Sequence, residues 1–300
     1  MTKPSLGIIG PGTLGTALGQ LARRAGYGEI SIGGRTAQHA EAAARAIGPD
    51  ALADVAGEVA SRSKLLFLTV RDGEIADVAR ELSSNGSIGS DCVVAHCSGA
   101  LSSDVLVSLR ECEGVALASF HPLQTLPNVE RATAMLPGSH CFAEGDAGAL
   151  AVLREFAGDL DLRFVEIATE AKPLYHASAV LACNDFTALM DAALGSMEAA
   201  GIERATAWAA LSPLVHATLE NIDTLGPEAA LTGPIRRGDA GTVALHLESL
   251  QAADPRLASL YRALGDRTLE LAQRGGALDA AAVERVRGAL HRDREFEKVD

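Results

Sequence analysis

Gly10, Gly12 and Gly15 stand in the stretch GIIGPGTLG, spaced Gly-x-Gly-x-x-Gly. Placed after an apolar strand and at the mouth of a helix, such glycines bind the pyrophosphate of a dinucleotide. The first allows a tight turn, the second lets the backbone approach the anion, and the third lets helix pack on strand. The helix start, from Thr13 and Leu14 onward, adds free N–H groups and the positive end of its dipole. Chains that bind NAD end the next strand in an acid that grips the ribose 2′-hydroxyl. Here that strand runs into SIGGRT, with no acid at its end and Arg35 just beyond. A guanidinium suits a 2′-phosphate, so NADP(H) is expected over NAD(H), with Ser31 and Thr36 adding hydrogen bonds.

Three polar clusters follow later apolar runs. TVRDG offers Thr69, Val70 and Asp72; AHCSGA offers His96, Cys97, Ser98 and Gly99; FHPLQT offers His121, Gln124 and Thr125. Ligands of open α/β sheets bind outside the carboxyl ends of the strands, so the clusters should line one crevice. Val70, Asp72, Ser98 and Gly99 are expected against the cofactor, His121 and Gln124 against the substrate. Gly-x-Ser-x-Gly is absent around Ser98, which argues against a hydrolase nucleophile. The eight histidines lie far apart, without His-x-x-x-His or HExxH spacing, so no metal is expected.

KPLYHASAVLACN, residues 172–184, reads as a buried helix interrupted by Lys172, His176 and Asn184. Burying such groups without partners costs about 1–3 kcal/mol each, more for a charge. Lys172 and His176 are i, i+4 neighbours on one face, and Asn184 lies about 80° further round, which suits one wall of a cleft. A partly desolvated lysine has its pKa lowered toward the working pH. Lys172 or His176 is therefore the expected proton donor, with Asn184 orienting the substrate. LTGPIRRGDAGTVALHL (231–247) forms a second substrate wall in this reading: Arg237 would recognise a carboxylate, while Asp239 caps the following helix through Thr242.

The elements that must position these residues follow from periodicity. Strand-like runs at 6–10, 29–34, 64–70, 92–97, 115–120, 140–145 and 162–167 alternate with helical segments, which predicts an open parallel sheet with helices on both faces. After Ile167 no strand follows. Residues 169–201 read as one long helix, and helical stretches recur at about 203–222, 240–252, 254–274 and 279–292. The expected division is an α/β nucleotide-binding domain at 1–168 and an all-helical domain at 169–300. The tail HRDREFEKVD reads as a solvated end.

The apolar fraction of 48% can fill such cores. A net charge of −13 argues against nucleic acid and anionic membranes, though a local arginine still binds a small anion. Cys92, Cys97, Cys112, Cys141 and Cys183 lack metal or redox spacing and are expected to be buried and reduced. No apolar run is expected to span a membrane. The start, MTKPSLGIIG, lacks a signal-peptide core, so a cytoplasmic protein is expected.

GIIGPGTLG, LFLTVRD, AHCSGAL, FHPLQTLP, KPLYHASAVLACN and LTGPIRRGD…TVALHL together resemble one group. These are the Rossmann-like proteins with a C-terminal domain of unknown function 2520, in the superfamily of 6-phosphogluconate dehydrogenase, ketopantoate reductase and pyrroline-5-carboxylate reductase. The resemblance implies an NADPH-dependent reductase of a small keto acid or imine, and a homodimer built through the helical domain. Ketopantoate reductases use a lysine and an asparagine on the first long helix of that domain. Lys172 matches the lysine, Asn184 is a candidate for the asparagine, and His176 occupies the usual asparagine spacing. An NADP-binding regulatory or sensor protein without turnover is the alternative that this departure favours.

Overall fold

The computed structural model describes residues 3–292; residues 293–300 of the tail HRDREFEKVD lie outside the described residues. Eight strands form one sheet: β1 Leu6–Ile9, β2 Ile30–Gly33, β3 Leu52–Asp54, β4 Leu65–Leu68, β5 Val93–His96, β6 Ala116–Pro122, β7 His140–Gly145 and β8 Arg163–Glu166. Their order is β3-β2-β1-β4-β5-β6-β7-β8. β1, β2, β4 and β5 are buried along their whole length, as strands covered on both faces must be. Alternate side chains enter two cores. Ile8, Phe67, Phe120 and Phe156 pack on one face and Ile9, Leu66, Leu68 and Val94 on the other. Helices α1 Thr13–Arg24, α2 Ala37–Ile47, α5 Val129–Met135 and α6 Ala147–Asp159 cover the first face, and α3 Ala56–Arg62 and α4 Asp72–Ser84 the second. Strand order reverses between β1 and β4, and their carboxyl ends open the crevice where such sheets bind ligands.

Two features depart from the sequence expectation. The sheet is not wholly parallel: β7 runs antiparallel to β6, and β8 runs parallel to β7. The link between β6 and β7 carries only the short α5, and Leu123 N already bonds His140 O at 2.8 Å. The chain thus re-enters the sheet at the end it left, which a parallel crossover cannot do. β3 is the other departure; a three-residue edge strand that starts with exposed Leu52 shows no readable alternation.

By compactness the chain divides into residues 1–182 and 183–300, a division that falls inside α7 Lys172–Ala199. The second unit continues with α8 Arg204–Leu225, α9 Pro227–Ala230, α10 Gly233–Arg236, α11 Ala240–Ala253, α12 Pro255–Arg274 and α13 Ala280–His291. Its core joins Ile235, Val243, Leu247, Leu269, Val286 and Leu290. Asp239, Asp254 and Asp279 cap α11, α12 and α13 by accepting from Thr242, Arg256 and Ala282 N–H groups.

The expectation of a buried helix at 172–184 is corrected. Lys172 is the one buried residue of α7, while Leu174 is 76% and Leu181 67% exposed. By length and composition alone Thr169–Ala199 could cross a membrane, its most apolar 18-residue stretch having mean hydropathy 1.2, but a single such helix does not indicate a membrane protein. Ala, Leu and Val show that a helix wants cover; they do not say what supplies it. The cysteines split likewise. Cys92, Cys97 and Cys141 are buried, Cys112 is half-buried and Cys183 exposed; all five are free.

Candidate active site

The glycine turn has a separate reason for each glycine. Gly10 adopts φ +121°, and a Cβ there would fall 2.6 Å from the Thr69 backbone carbon. A Cβ on Gly15 would sit 2.2 Å from Gly10 O, so only glycine lets α1 approach the turn this closely. Around Gly12 nothing lies within 4 Å, leaving an open cradle beside the backbone. Thr69 Oγ1 donates to Gly10 O at 2.7 Å and ties the end of β4 to the turn. α1 begins without a side-chain cap or an acid in its first turn, so the first N–H groups, those of Thr13 and Leu14 included, are free to meet an anion. These residues fit a dinucleotide pyrophosphate.

Arg35 is exposed and pairs with Glu74 at 3.0 Å, linking the loop after β2 to the first turn of α4. Glu74 carried no sequence signal. Thr36 stands at the N-cap of α2 without a side-chain bond to it, and Ser31 is buried within β2. Val70 is half-buried beside Asp72 at the end of β4.

Past β5 lies a fully bonded polar network. Ser98 Oγ donates to Asp72 Oδ2 at 2.8 Å and accepts from Leu101 N at 3.0 Å. Ser98 N donates to His96 Nδ1 at 3.2 Å, so the His96 proton is on Nε2, which donates to Ser102 O at 3.0 Å. Burial first, then the Lys172 charge, pushes the pKa of His96 down to about 4. His96 is therefore a neutral strut of the loop rather than a reacting group.

Lys172 is enclosed completely, and its Nζ donates to Ser98 O at 2.7 Å and to Ser119 Oγ. Burial lowers its pKa, and Glu144 is the largest opposing influence. Glu144, on β7 and 1% exposed, accepts from Ser103 N at 2.8 Å, Ser103 Oγ at 2.9 Å and Thr169 Oγ1 at 2.9 Å. The Thr169 bond anchors the turn from which α7 starts, and so sets where Lys172 enters.

Over this network lies a partly exposed layer. His121 Nδ1 is 2.8 Å from Tyr175 Oη, and the Tyr175 ring lies against Phe142 with centroids 4.4 Å apart. His176 packs edge-on to His121 at 5.9 Å, and its Nδ1 is buried without a partner. Gly99 makes room for both rings. A Cβ there would fall 2.4 Å from His176 Nδ1 and 2.9 Å from His121 Nε2. Burial, then Lys172, then His176 lower the His121 pKa to about 4.

The fold thus gathers Asp72, Ser98, Gly99, His121, Lys172 and His176 within the first unit. Gln124 accepts from its neighbour Thr125 N at 2.8 Å. Asn184, exposed, belongs to the second unit with Arg237 and Asp239. Asp239 keeps its cap, with both carboxylate oxygens on Thr242. Ser119, Glu144, Thr169 and Tyr175 were missed. Ser119 had a signal, since residues two apart on a strand share a face and His121 was already singled out.

Residues 1–122 match the Rossmann-like domain family, and residues 139–268 match the domain of unknown function DUF2520. The chain is a Rossmann-like protein that carries a DUF2520 domain. Among solved structures it is similar to BF3122 of Bacteroides fragilis, provisionally named an NADP oxidoreductase, with TM-score 0.71 and 23% identity over 90% of this chain and 99% of that one. Protein TM1727 of Thermotoga maritima gives 0.70 and 25% identity over 90% and 98%. An imine reductase of Myxococcus stipitatus, solved with NADP+, gives 0.60 and 17% identity over 94% and 99%. No curated protein sequence matches the chain.

Proposed function

We propose that this protein is an NADP(H)-dependent oxidoreductase that reduces a small keto acid or imine, with a ketopantoate-like 2-keto acid preferred. One observation carries the reading: the open cradle at Gly12 and the His121–Tyr175–His176 layer lie at carboxyl ends of strands in one sheet. NADP-bound and NADP-named structures with this fold support it. The cofactor supplies hydride. The chain supplies the rest: α1 holds the pyrophosphate, and Arg35 and Thr36 select the 2′-phosphate. Asp72 and Ser98 fix the loop that carries Gly99. Lys172, wholly enclosed, positions that loop by donating to Ser98 O, and its charge favours negative charge developing on a substrate oxygen. The proton comes from the partly exposed layer that contains His176. The five free cysteines support a cytoplasmic enzyme. The exposed apolar residues of α7 and α8, Leu181, Trp208, Leu214 and Leu225 among them, support a homodimer.

Turnover of NADPH with a panel of 2-keto acids and cyclic imines tests the reading; oxidation with at least one member is expected. Tight NADPH binding without oxidation anywhere on the panel would identify a sensor instead. Cofactor choice has its own test. Arg35→Ala is expected to weaken NADPH binding about 10- to 100-fold, the worth of a charged hydrogen bond, and to leave NADH binding nearly unchanged. Equal loss for both cofactors would remove Arg35 from the 2′-phosphate.

A further inference from the structure

We propose that Tyr175 gives the proton to the substrate oxygen, that His121 positions Tyr175 and resupplies it, and that the acceptor is a carbonyl rather than an iminium. This deepens the reductase reading and rests on it.

The donor is selected by what is left open. Lys172, His96, Ser98, Ser119 and Glu144 are buried, and each is already hydrogen-bonded within the protein. Of the layer above them, His176 has its Nδ1 turned against Gly99 without a hydrogen bond. Tyr175 is held on two sides, its ring by Phe142 and its hydroxyl by His121 Nδ1 at 2.8 Å. A donor fixed in this way loses little freedom on reaction.

The groups acting on His121 are Lys172 and His176 on α7, Asp72 on α4 and His96 on β5. Burial and the Lys172 charge prevail over Asp72, so His121 is neutral and carries one N–H. With that proton on Nδ1, His121 donates to Tyr175 Oη and leaves the phenolic proton for the substrate. As the carbonyl carbon receives hydride, the C=O π pair moves onto oxygen, which takes the phenolic proton. Tyr175 Oη then takes the Nδ1 proton, His121 Nε2 takes one from water, and proton exchange with water returns the ring to its Nδ1–H tautomer. One hydride and one solvent proton become a C–H and an O–H bond, and both side chains end neutral. An iminium already carries its proton and a positive charge, which the Lys172 charge opposes. A developing alkoxide, and a carboxylate on the same substrate, are favoured by it.

Nitrogen-15 NMR of the cofactor-free protein reads the pair directly. Protonated Nδ1 and bare Nε2 are expected for His121, with a shifted signal in Tyr175→Phe. In turnover, Tyr175→Phe is expected to lower kcat at least about 100-fold, the usual worth of a positioned acid, with NADPH affinity kept. His121→Asn retains an N–H for Tyr175 but relays no proton, so a smaller loss with an altered solvent isotope effect is expected. A bare Nδ1, or Tyr175→Phe within about threefold of wild type, overturns the relay. Wild type that reduces imines and no carbonyl overturns the acceptor assignment. Wild type that oxidises NADPH with nothing on the panel overturns the reductase reading, and the relay with it.

Discussion

Lys172→Met is expected to lower the unfolding free energy by about 2–4 kcal/mol, within the range for breaking a buried charged network. Methionine keeps the stem and removes the ammonium. Ser98 O and Ser119 Oγ, both enclosed, lose their donor. Glu144 loses the cation that faces it, yet keeps its bonds from Ser103 and Thr169, which holds the cost below that of a bare buried charge. Glu144→Gln in the same background should restore part of the loss, with a coupling of about 1–3 kcal/mol in a double-mutant cycle. Urea unfolding of the wild type, both single variants and the double variant measures this. Strictly additive losses would show that Lys172 and Glu144 do not act as a unit. Turnover of Lys172→Met should fall as well, because the Ser98–Gly99 loop loses its anchor.

Acid should weaken the fold in a defined window. His96 and His121 are held neutral with pKa values of about 4, against about 6.5 in an unfolded chain. Above pH 6.5 both states are neutral and the full stability is present. As pH falls from 6.5 toward 4 the unfolded chain binds protons that the folded one refuses. Stability is then lost at about 1.4 kcal/mol per pH unit per histidine, and the loss levels off below the folded pKa. For the wholly buried His96 this amounts to about 3 kcal/mol. His121 is partly exposed and should contribute less. Unfolding free energies at pH 7.5, 6.0 and 4.5 should show the slope, and His96→Asn should flatten it. An acid limb as steep in His96→Asn as in wild type would assign the loss to other groups.

Much of the fold was legible because it rests on local patterns. Seven of the strands and the long helices follow from runs with period 2, period 3.6 or no polar residue at all. The antiparallel turn of β7 was not legible, since a short helix can return the chain to either end of a sheet. Burial of α7 was misread for a related reason. Apolar residues on its surface resemble a core pattern whether or not the same chain covers them.

The sequence by itself determined the glycine turn, the missing acid after β2, Arg35, and the grouping of His121 with the strand ends, because each lies within a few residues of the element that positions it. Only the tertiary structure decided that Lys172 turns inward while His176 stays in the outer layer, although the two share a helix face. Lys172 meets Ser98 and Ser119 across 74 and 53 residues of chain, and Tyr175 meets His121 across 54. Contacts at such separations depend on how β5, β6 and the start of α7 pack. Glu144, which anchors that start, lies on a strand whose direction the sequence did not reveal.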